Sequence, residues 1–288
     1  MIKNEIKEIT LDDIYRIFPK RHADSHKGDF GRLLCITGSL RMPGAAAMAS
    51  YAALRSGVGL LTTATAAQNI PSLSSHCFES MYISLKTDSD GFITWSGNDN
   101  ILTEAVKKSD AVLIGCGLGV TSETVILTKN IIQLTKGTLI IDADGLNAMR
   151  DNINIIAERE GNTILTPHPG EMARLLNVST QSVQSDRKYA IYNAMQLFPH
   201  AVIVLKGKGT IVGHKKSIYL NNTGNPGMSR GGSGDVLAGM TAAFSAQGLV
   251  PLSAAMAGVY IHGLAGDIAA HKFSQQAMLP RDIIECIP

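Results

Sequence analysis

The sequence predicts one α/β domain built on parallel strands, and two observations carry that prediction. Short apolar runs alternate with longer helical segments along the chain. The first unit is complete: an apolar run at 33–36, a small-residue helix at 47–56 and a second apolar run at 60–64 form a strand–helix–strand unit, which implies parallel pairing. Because no linker or internal repeat divides the chain, a single domain over residues 1–288 is expected.

Composition and charge exclude several classes of protein. Apolar residues make up 45% of the 288 residues and charged residues 17%, which is typical of a folded chain and excludes intrinsic disorder. A net charge of +2 without a basic block argues against nucleic acid as a partner. The four cysteines form no CxxC pair, which indicates free thiols in a reducing cytoplasm. No signal segment and no uninterrupted apolar run of ~18 residues is evident, so a cytoplasmic protein without a membrane partner is expected.

The remaining elements follow from caps, apolar spacing and turn residues. A helix is expected over 10–18, where Thr10 can cap and Pro19 would end it. Further strands are predicted at 111–114, 139–141, 163–165 and 201–205, helices at 122–134, 183–197 and 252–271, and a hairpin of 210–213 with 217–220. Residues 69–106 carry too little signal to assign, and they could form part of an interface or a lid.

Several strand ends carry residues suited to ligands, because open α/β sheets bind ligands at the carboxyl ends of their strands. Ala45 and Ala46 follow the first strand, although small residues there equally suit close helix packing. The GxGxG at 115–119 suggests close approach to a phosphate or sugar, but it lacks the GxGxxG spacing of a dinucleotide fold. Asp142 follows another strand, where it is either a ligand or a turn cap.

Two later motifs combine rigid or glycine-rich backbone with charge. In Thr166–Glu171 (TPHPGE), His168 lies between two prolines, and Glu171 falls in the first turn of a helix, where the dipole favours an acid in any case. The turn KGKGT at 206–210 could line one side of a nucleotide, although it is not a Walker loop.

The stretch 222–244, NTGNPGMSRGGSGDVLAGMTAAF, organises the chain. Its glycines and proline predict irregular backbone up to Asp235 and a helix from Val236. A glycine-rich turn that leads into a helix N-terminus presents free N–H groups to an anion. Asp235 at its mouth is therefore either a helix cap or a catalytic base.

Taken together, these motifs resemble a known family. SHKGDFGRLLCITGS, MPGAAAMA, IGCGLG, IDADGLNA, TPHPGEMARLL, VLKGKGT and NTGNPGMSRGGSGDVLAG occur in the order found in the ADP/ATP-dependent NAD(P)H-hydrate dehydratases. The resemblance covers residues 25–266. It implies the ribokinase-like fold, in which helices flank both faces of a central, mostly parallel sheet.

The resemblance also implies an activity in cofactor repair. Members of the family return the hydrate of NADH or NADPH (the S form) to NAD(P)H at the expense of ADP, which becomes AMP and phosphate, or of ATP in eukaryotic relatives. Phosphorylation of the hydrate hydroxyl would create a good leaving group. Mg²⁺ is the implied cofactor and a homo-oligomer, favoured as a tetramer, the implied assembly. A separate NAD(P)H-hydrate epimerase is the implied partner enzyme, because the epimerase domain of fused members is not expected here.

Carried over by position, the resemblance assigns roles to individual residues. Asp235 would contact the hydrate and act as the base on its hydroxyl, although an aspartate with its ordinary pKa of about 4 is a weak base. Glu171 would lie near Mg²⁺. The hydrate site would be lined by Ala45 or Ala46, Gly117 and His168, and the adenine nucleotide would be held by Lys206, Gly207, Lys208, Gly209, Thr210 and Gly234. Ser233 stands where the motif commonly has threonine, and it keeps the hydroxyl.

Two other functions remain open at this point. A vitamin-precursor kinase of the same fold would share the GGSGD motif, since both activities transfer a phosphoryl group to a hydroxyl; the sequence HPGE resembles the dehydratases rather than those kinases. A nucleotide-sensing protein without turnover is the second alternative, and the intact Asp235 argues against it. The sequence does not choose between NADH hydrate and NADPH hydrate.

Overall fold

A ten-stranded sheet organises the computed structural model, which describes residues 6–18 and 20–288. The strands are β1 (Ile6–Glu8), β2 (Arg32–Ile36), β3 (Leu60–Ala66), β4 (Met81–Leu85), β5 (Ala111–Ile114), β6 (Thr138–Ile141), β7 (Thr163–Leu165), β8 (Ala201–Leu205), β9 (Thr210–His214) and β10 (Ser217–Asn221). Their order across the sheet is β1-β10-β9-β8-β7-β6-β5-β2-β3-β4. Pro19, the predicted end of the first helix, lies outside the described residues.

The register confirms the mostly parallel sheet. All pairs from β8 through β7, β6, β5, β2 and β3 to β4 are parallel, as is β1 with β10. Only the hairpin strand β9 runs antiparallel to its neighbours β8 and β10. The carboxyl ends of β2 and β5 to β8 therefore meet at one edge of the sheet, and the loops that carry the sequence motifs meet there too.

Helices cover both faces of the sheet. They are α1 (Leu11–Ile17), α2 (Pro43–Arg55), α3 (Ile70–Ser74), α4 (Asp99–Lys107), α5 (Ser122–Leu134), α6 (Ala143–Ala148), α7 (Asn154–Ala157), α8 (Pro169–Leu176), α9 (Thr180–Ser185), α10 (Arg187–Leu197), α11 (Ser233–Ala246), α12 (Pro251–Ala277) and α13 (Pro280–Glu285). Successive residues of β2 alternate between two cores. Leu33 and Cys35 pack in the core with α2, α11 and α12, whereas Leu34 and Ile36 pack in the core with α4, α5 and α10. This two-sided packing confirms the predicted fold class.

Several predicted boundaries were wrong for local reasons. Helix α2 begins at Pro43, because proline suits the first turn of a helix. The predicted helix 183–197 is two helices, since the Asp186 side chain accepts the Tyr189 N–H and starts a new helix. Helix α11 begins at Ser233, so that Asp235 lies inside its first turn. Residues 69–106, for which the sequence pattern predicts no element, contain α3, β4 and most of α4.

The apolar composition of the long helix α12 has a structural explanation. By length and composition the helix is long and apolar enough to cross a membrane, although polar residues interrupt its apolar stretch, as expected. However, 61% of its most apolar window is buried against the rest of the protein. Packing within the fold therefore accounts for its apolar composition.

Helices α2 and α11 cross at close range because Gly239 has no side chain. A Cβ atom at Gly239 would overlap the carbonyl oxygen of Ala49 in α2. The two helices also carry buried alanines along this contact. This close approach positions the N-terminus of α11 over the carboxyl edge of the sheet.

We expect Gly239→Ala to lower the free energy of unfolding by about 1–3 kcal/mol, because the added methyl group must push two packed backbones apart. Gly44→Ala in α2 is the matched control. A Cβ at Gly44 meets no atom within 4 Å, so this variant should be neutral or more stable by less than about 1 kcal/mol. Urea unfolding of both variants checks the prediction, and equal stabilities would contradict it.

Candidate active site

The centre of the site is the carboxylate of Asp142 at the end of β6, where it is only 1% exposed. Its Oδ1 accepts a hydrogen bond from Lys206 Nζ at 2.6 Å and another from Thr166 Oγ1 at 2.7 Å. These partners come from the ends of β8 and β7, so the parallel topology brings them together. Because a buried carboxylate is costly without partners, these contacts compensate for the burial of the Asp142 side chain.

Lys206 connects Asp142 to the other candidate residues. Its Nζ lies 3.7 Å from Glu171 Oε2, and its side chain is 17% exposed. Burial alone would lower the pKa of Lys206, but Asp142 and Glu171 outweigh burial and raise the pKa above its usual value. A Cβ at Gly234 would lie 3.5 Å from Nζ. A permanent ammonium group therefore stands beside the N-terminus of α11.

His168 and Glu171 form a reciprocal cap at the start of α8. His168 Nδ1 accepts the N–H groups of Gly170 and Glu171, at 2.9 and 3.3 Å, and Glu171 Oε2 accepts the His168 N–H at 2.7 Å. The rigid TPHPGE motif thus has a structural role. It also leaves the His168 ring half exposed at the site, whereas Glu171 is 4% exposed.

The electrostatic environment shifts the pKa values of both His168 and Glu171. Burial raises the pKa of Glu171 to about 7, against the opposing charge of Lys206. The pKa of His168 is lowered by burial, by Lys206 and by Arg174. The imidazole is therefore neutral at neutral pH, and since its Nδ1 accepts backbone N–H groups, its proton belongs on Nε2.

Asp235 lies in the first turn of α11, close to Asp142. Ligand atoms of Asp235, Asp142 and Cys116 lie within 4.8 Å of one another. Burial, followed by the charge of Asp142, raises the pKa of Asp235 to about 7. The expectation that Asp235 has an ordinary pKa and is a weak base was wrong, because the sequence does not reveal this burial. Asp235 is better matched to proton transfer at neutral pH than a solvated aspartate.

Cys116 contributes a buried thiol to the same group. Its Sγ lies 3.7 Å from Asp142 Oδ2. Burial and the two neighbouring aspartates raise the pKa of the thiol well above its ordinary value. Cys116 therefore remains protonated and acts as a weak donor to the carboxylates. The sequence singled out the glycines around Cys116 but gave this side chain no role.

The residues expected to line the hydrate site differ in accessibility. Ala45 lies against Gly117, where a Cβ at Gly117 would come 2.6 Å from the Ala45 Cβ. Ala46 is completely buried and faces Gly38 instead. Of the two alanines, Ala45 is the one that can contact a ligand at this edge. Gly117 has a φ of +66°, and both this backbone angle and its lack of a side chain permit the close approach.

The predicted nucleotide segment forms a tight turn between β8 and β9. Gly207 and Gly209 have φ angles of +136° and +62°, and Thr210 Oγ1 donates to the Gly207 carbonyl at 3.0 Å. Lys208 is exposed at the tip of the turn. The turn is therefore short, basic and open to a ligand.

Sequence reasoning missed the residue that supports this turn. Arg187 in α10 donates to the carbonyl oxygens of Leu205, Lys206 and Gly209 at 3.0–3.2 Å. No motif marked it, because its partners are backbone atoms about 20 residues further along the chain. The break between α9 and α10, which places Arg187 at a helix start, is the only local signal.

Comparison with known proteins agrees with this geometry. The family model for NAD(P)H-hydrate dehydratase matches residues 33–288. The bifunctional NAD(P)H-hydrate repair enzyme of Moorella thermoacetica is 39% identical over 94% of this chain, which covers 51% of that protein. The chain thus spans about half the length of such relatives.

Single-function relatives match over most of their length. The ADP-dependent (S)-NAD(P)H-hydrate dehydratase of Listeria monocytogenes is 34% identical over 98% of this chain and 95% of its own. The solved structure of the ADP/ATP-dependent NAD(P)H-hydrate dehydratase of Bacillus subtilis, co-crystallised with ATP and Mg²⁺, has 31% identity and a TM-score of 0.81, and covers 98% of this chain and 96% of that one. The fold is also shared with solved ribokinase-like proteins. On the match to the family model and these relatives, the chain belongs to the NAD(P)H-hydrate dehydratase family.

Proposed function

We propose that this protein removes water from the hydrate of NADH or NADPH (the S form) at the expense of ADP, with NAD(P)H, AMP and phosphate as products. One observation carries the proposal: a carboxylate with a pKa of about 7 lies in the first turn of a helix whose glycine-rich N-terminus faces an ammonium group. The names of the full-length relatives support the substrate and the ADP dependence. The activity is that of a carbon–oxygen lyase driven by a nucleotide.

The first chemical step transfers a phosphoryl group to the hydrate hydroxyl. Asp235 takes the hydroxyl proton as the new O–P bond forms and the bond between phosphorus and the AMP oxygen breaks. Ionisation near pH 7 suits this role, because a general base is most effective when its pKa lies near the working pH. Positioned bases of this kind contribute about 10²–10⁴-fold to the rate.

The second step needs little from the protein. Phosphate is a good leaving group, so the ring nitrogen lone pair expels it as the carbon–oxygen bond breaks. Loss of a proton from the adjacent carbon then completes the double bond and restores the dihydronicotinamide. The nicotinamide ring would be held in place by Ala45, Gly117 and the neutral His168 imidazole, which is half exposed at the edge of the site.

The negative charge of the transferring group is met by fixed positive charge. The Lys206 ammonium stands beside Gly234 at the N-terminus of α11, where backbone N–H groups and the helix dipole also favour an anion. The turn 207–210 would hold the remainder of the nucleotide. These groups are positioned before the ligand arrives, so they need no reorganisation during the reaction.

The residues at the site also fit a magnesium ion. Mg²⁺ prefers oxygen ligands and is commonly held by one or two carboxylates together with substrate phosphates. Glu171 is a buried carboxylate at the edge of this site, and it lies farther from the Lys206 ammonium than Asp142 does, at 3.7 Å against 2.6 Å. Glu171 would thus be its protein ligand. When bound, the ion would neutralise phosphate charge.

The proposal also includes the cellular location, the oligomeric state and the partner enzyme of the protein. We place the protein in the cytoplasm as a homo-oligomer, with tetramer as the favoured order, working beside a separate epimerase. The bifunctional relatives contain about as much chain again beyond the matched part, which supports a second enzyme as its counterpart.

The deciding experiment follows the near-ultraviolet absorbance of reduced nicotinamide, starting from purified NADH hydrate with Mg²⁺ and either ADP or ATP. We expect an increase that requires nucleotide and is faster with ADP. Release of AMP and phosphate in equal amounts would confirm the stoichiometry. A flat trace with both nucleotides, in protein shown to bind them, would overturn the proposal and favour a kinase that phosphorylates another alcohol.

The pH dependence of kcat/KM for the hydrate should report the ionisation of Asp235. Because the base must be deprotonated, kcat/KM should fall about tenfold per pH unit well below pH 7 and level off above it. Measurement from pH 5.5 to 9 checks this. A fall in kcat/KM centred near pH 4, as for a solvated aspartate, would contradict the assignment of Asp235 as the base. The Asp235→Asn variant should have no measurable turnover at any pH.

Asp235→Asn should also make the folded protein more stable at pH 8. Since folding raises the pKa of Asp235 from 3.8 to about 7, the folded state binds its proton more tightly. Wild-type stability is therefore reduced as pH rises from about 4 to 7, and the variant escapes this cost. We expect a gain of about 1 kcal/mol or more, equivalent to about 2 °C or more in Tm, at pH 8 and a clearly smaller gain at pH 4.5, which is only slightly above the unfolded-state pKa of 3.8.

Asp13→Asn is a control, because the pKa of Asp13 is shifted in the opposite direction to that of Asp235. The hydrogen bonds with Thr10 in the α1 cap lower the pKa of Asp13. Loss of this carboxylate should leave the protein equally or less stable at pH 8. Thermal unfolding of both variants at the two pH values distinguishes the cases, and a destabilised Asp235→Asn protein at pH 8 would contradict the burial argument.

A further inference from the structure

The glycine loop, residues 222–232, carries the anion site but has little regular structure of its own. It connects β10 to α11 and contains a single short turn at Pro226–Met228. Gly224 and Gly232 both have a φ of +101°, in the left-handed region. The orientation of the α11 N-terminus and of Asp235 depends on how this loop is held.

Helix α12 holds the loop along more than two turns. Asn221 Nδ2, just before the loop, donates to the Val259 carbonyl at 3.1 Å, and Thr223 Oγ1 donates to the Tyr260 carbonyl at 3.0 Å. Further along, Asn225 Nδ2 donates to the Gly266 carbonyl at 2.9 Å. Hydrogen bonds at Val259, Tyr260 and Gly266 therefore tie the loop and the residue before it to the helix.

Glycines in α12 allow this close contact. A Cβ at Gly263 would overlap Thr223 Oγ1, and a Cβ at Gly266 would overlap the sulfur of Met228. Larger residues at either position would push the loop off the helix. Close packing and hydrogen bonding therefore act on the same segment.

One charged side chain joins this contact to the rest of the loop. Asp267 Oδ2 accepts the Gly224 N–H, and its Oδ1 accepts Asn225 Nδ2, both at 2.9 Å. The Asn225 Oδ1 in turn accepts the Gly227 N–H at 3.0 Å. Hydrogen bonds to a carboxylate are stronger than those between neutral groups. A relay of defined direction therefore runs from α12 through Asp267 and Asn225 into the turn that precedes Arg230 and the α11 N-terminus.

We propose that Asp267 is a positioning residue for the nucleotide, acting through Asn225 on the glycine loop. The inference rests on the proposed function, since it concerns the same anion site. Asp267 lies on a long helix and bonds to the loop rather than to the segments expected to contact the hydrate. Its carboxylate fixes the loop before phosphate arrives, and small displacements of reacting groups cost about 10²-fold in rate.

The test compares Asp267→Asn with Asp282→Asn. In Asp267→Asn one carboxylate oxygen becomes an NH2 group, which cannot accept a hydrogen bond. It would face either the Gly224 N–H or Asn225 Nδ2, so one of these two hydrogen bonds is lost. Asp282 is the matched control, because its Oδ2 accepts the Leu279 N–H at 2.7 Å in α13, a bond of the same kind in the cap of a neighbouring helix. For Asp267→Asn we expect the KM for ADP to rise and kcat to fall, each about tenfold, with the KM for the hydrate within about twofold.

Two further measurements keep the outcome decisive. Asn225→Ala keeps the bond from Gly224 to Asp267 but removes the relay to Gly227, and should shift the same two parameters by at least as large a factor. Calorimetric titration of ADP with Mg²⁺, without hydrate, should show weaker binding by about tenfold for Asp267→Asn and wild-type binding for Asp282→Asn. Wild-type ADP binding and kcat in both folded loop variants would overturn the inference. A wild-type protein that binds ADP but never restores NADH would instead overturn the proposed function.

Discussion

The ion pair between Asp142 and Lys206 is the interaction on which the site depends. A carboxylate that is 1% exposed meets an ammonium at 2.6 Å, and removal of Lys206 would leave this buried carboxylate without a positive partner, typically at a cost of about 3–5 kcal/mol. The pair also sets the electrostatics around it, because Asp142 raises the pKa of Asp235 while Lys206 lowers it. The pKa of Asp235 thus reflects burial together with these two opposing charges.

The same pair explains how a site that we propose to bind phosphate can also hold three carboxylates. The Lys206 ammonium and the α11 N-terminus supply positive charge beside Asp142, Glu171 and Asp235. Under the proposed function, a phosphate at this site would compete with the carboxylates for Lys206 and would weaken the attraction that Asp142 and Glu171 receive from it. Protonation of Glu171, whose pKa is about 7, or a cation bound beside it would relieve that competition.

The fold was predictable wherever a buried run was bounded by turn residues. Strands β5, β7 and β8 match the predicted ranges 111–114, 163–165 and 201–205, because parallel strands covered on both faces are continuously apolar. Strand β4 was missed since it is an edge strand of mixed exposure. The start of α11 was misplaced because Gly234, a poor helix former, lies in its first turn, where the approach to Lys206 matters more than propensity.

Candidate site residues were predictable to the extent that parallel topology gathers strand ends. Lys206, Asp142 and the TPHPGE segment follow adjacent strands, so their proximity needed only the strand order. What each carboxylate does could not be read from its motif. Asp142 is paired with an ammonium, Asp235 is partly buried with a raised pKa, and Asp267 bonds to two loop donors. These differences come from neighbours that are distant in sequence, as does the contact of Arg187 with the nucleotide turn, so tertiary structure and not local pattern decides the chemistry of each acid.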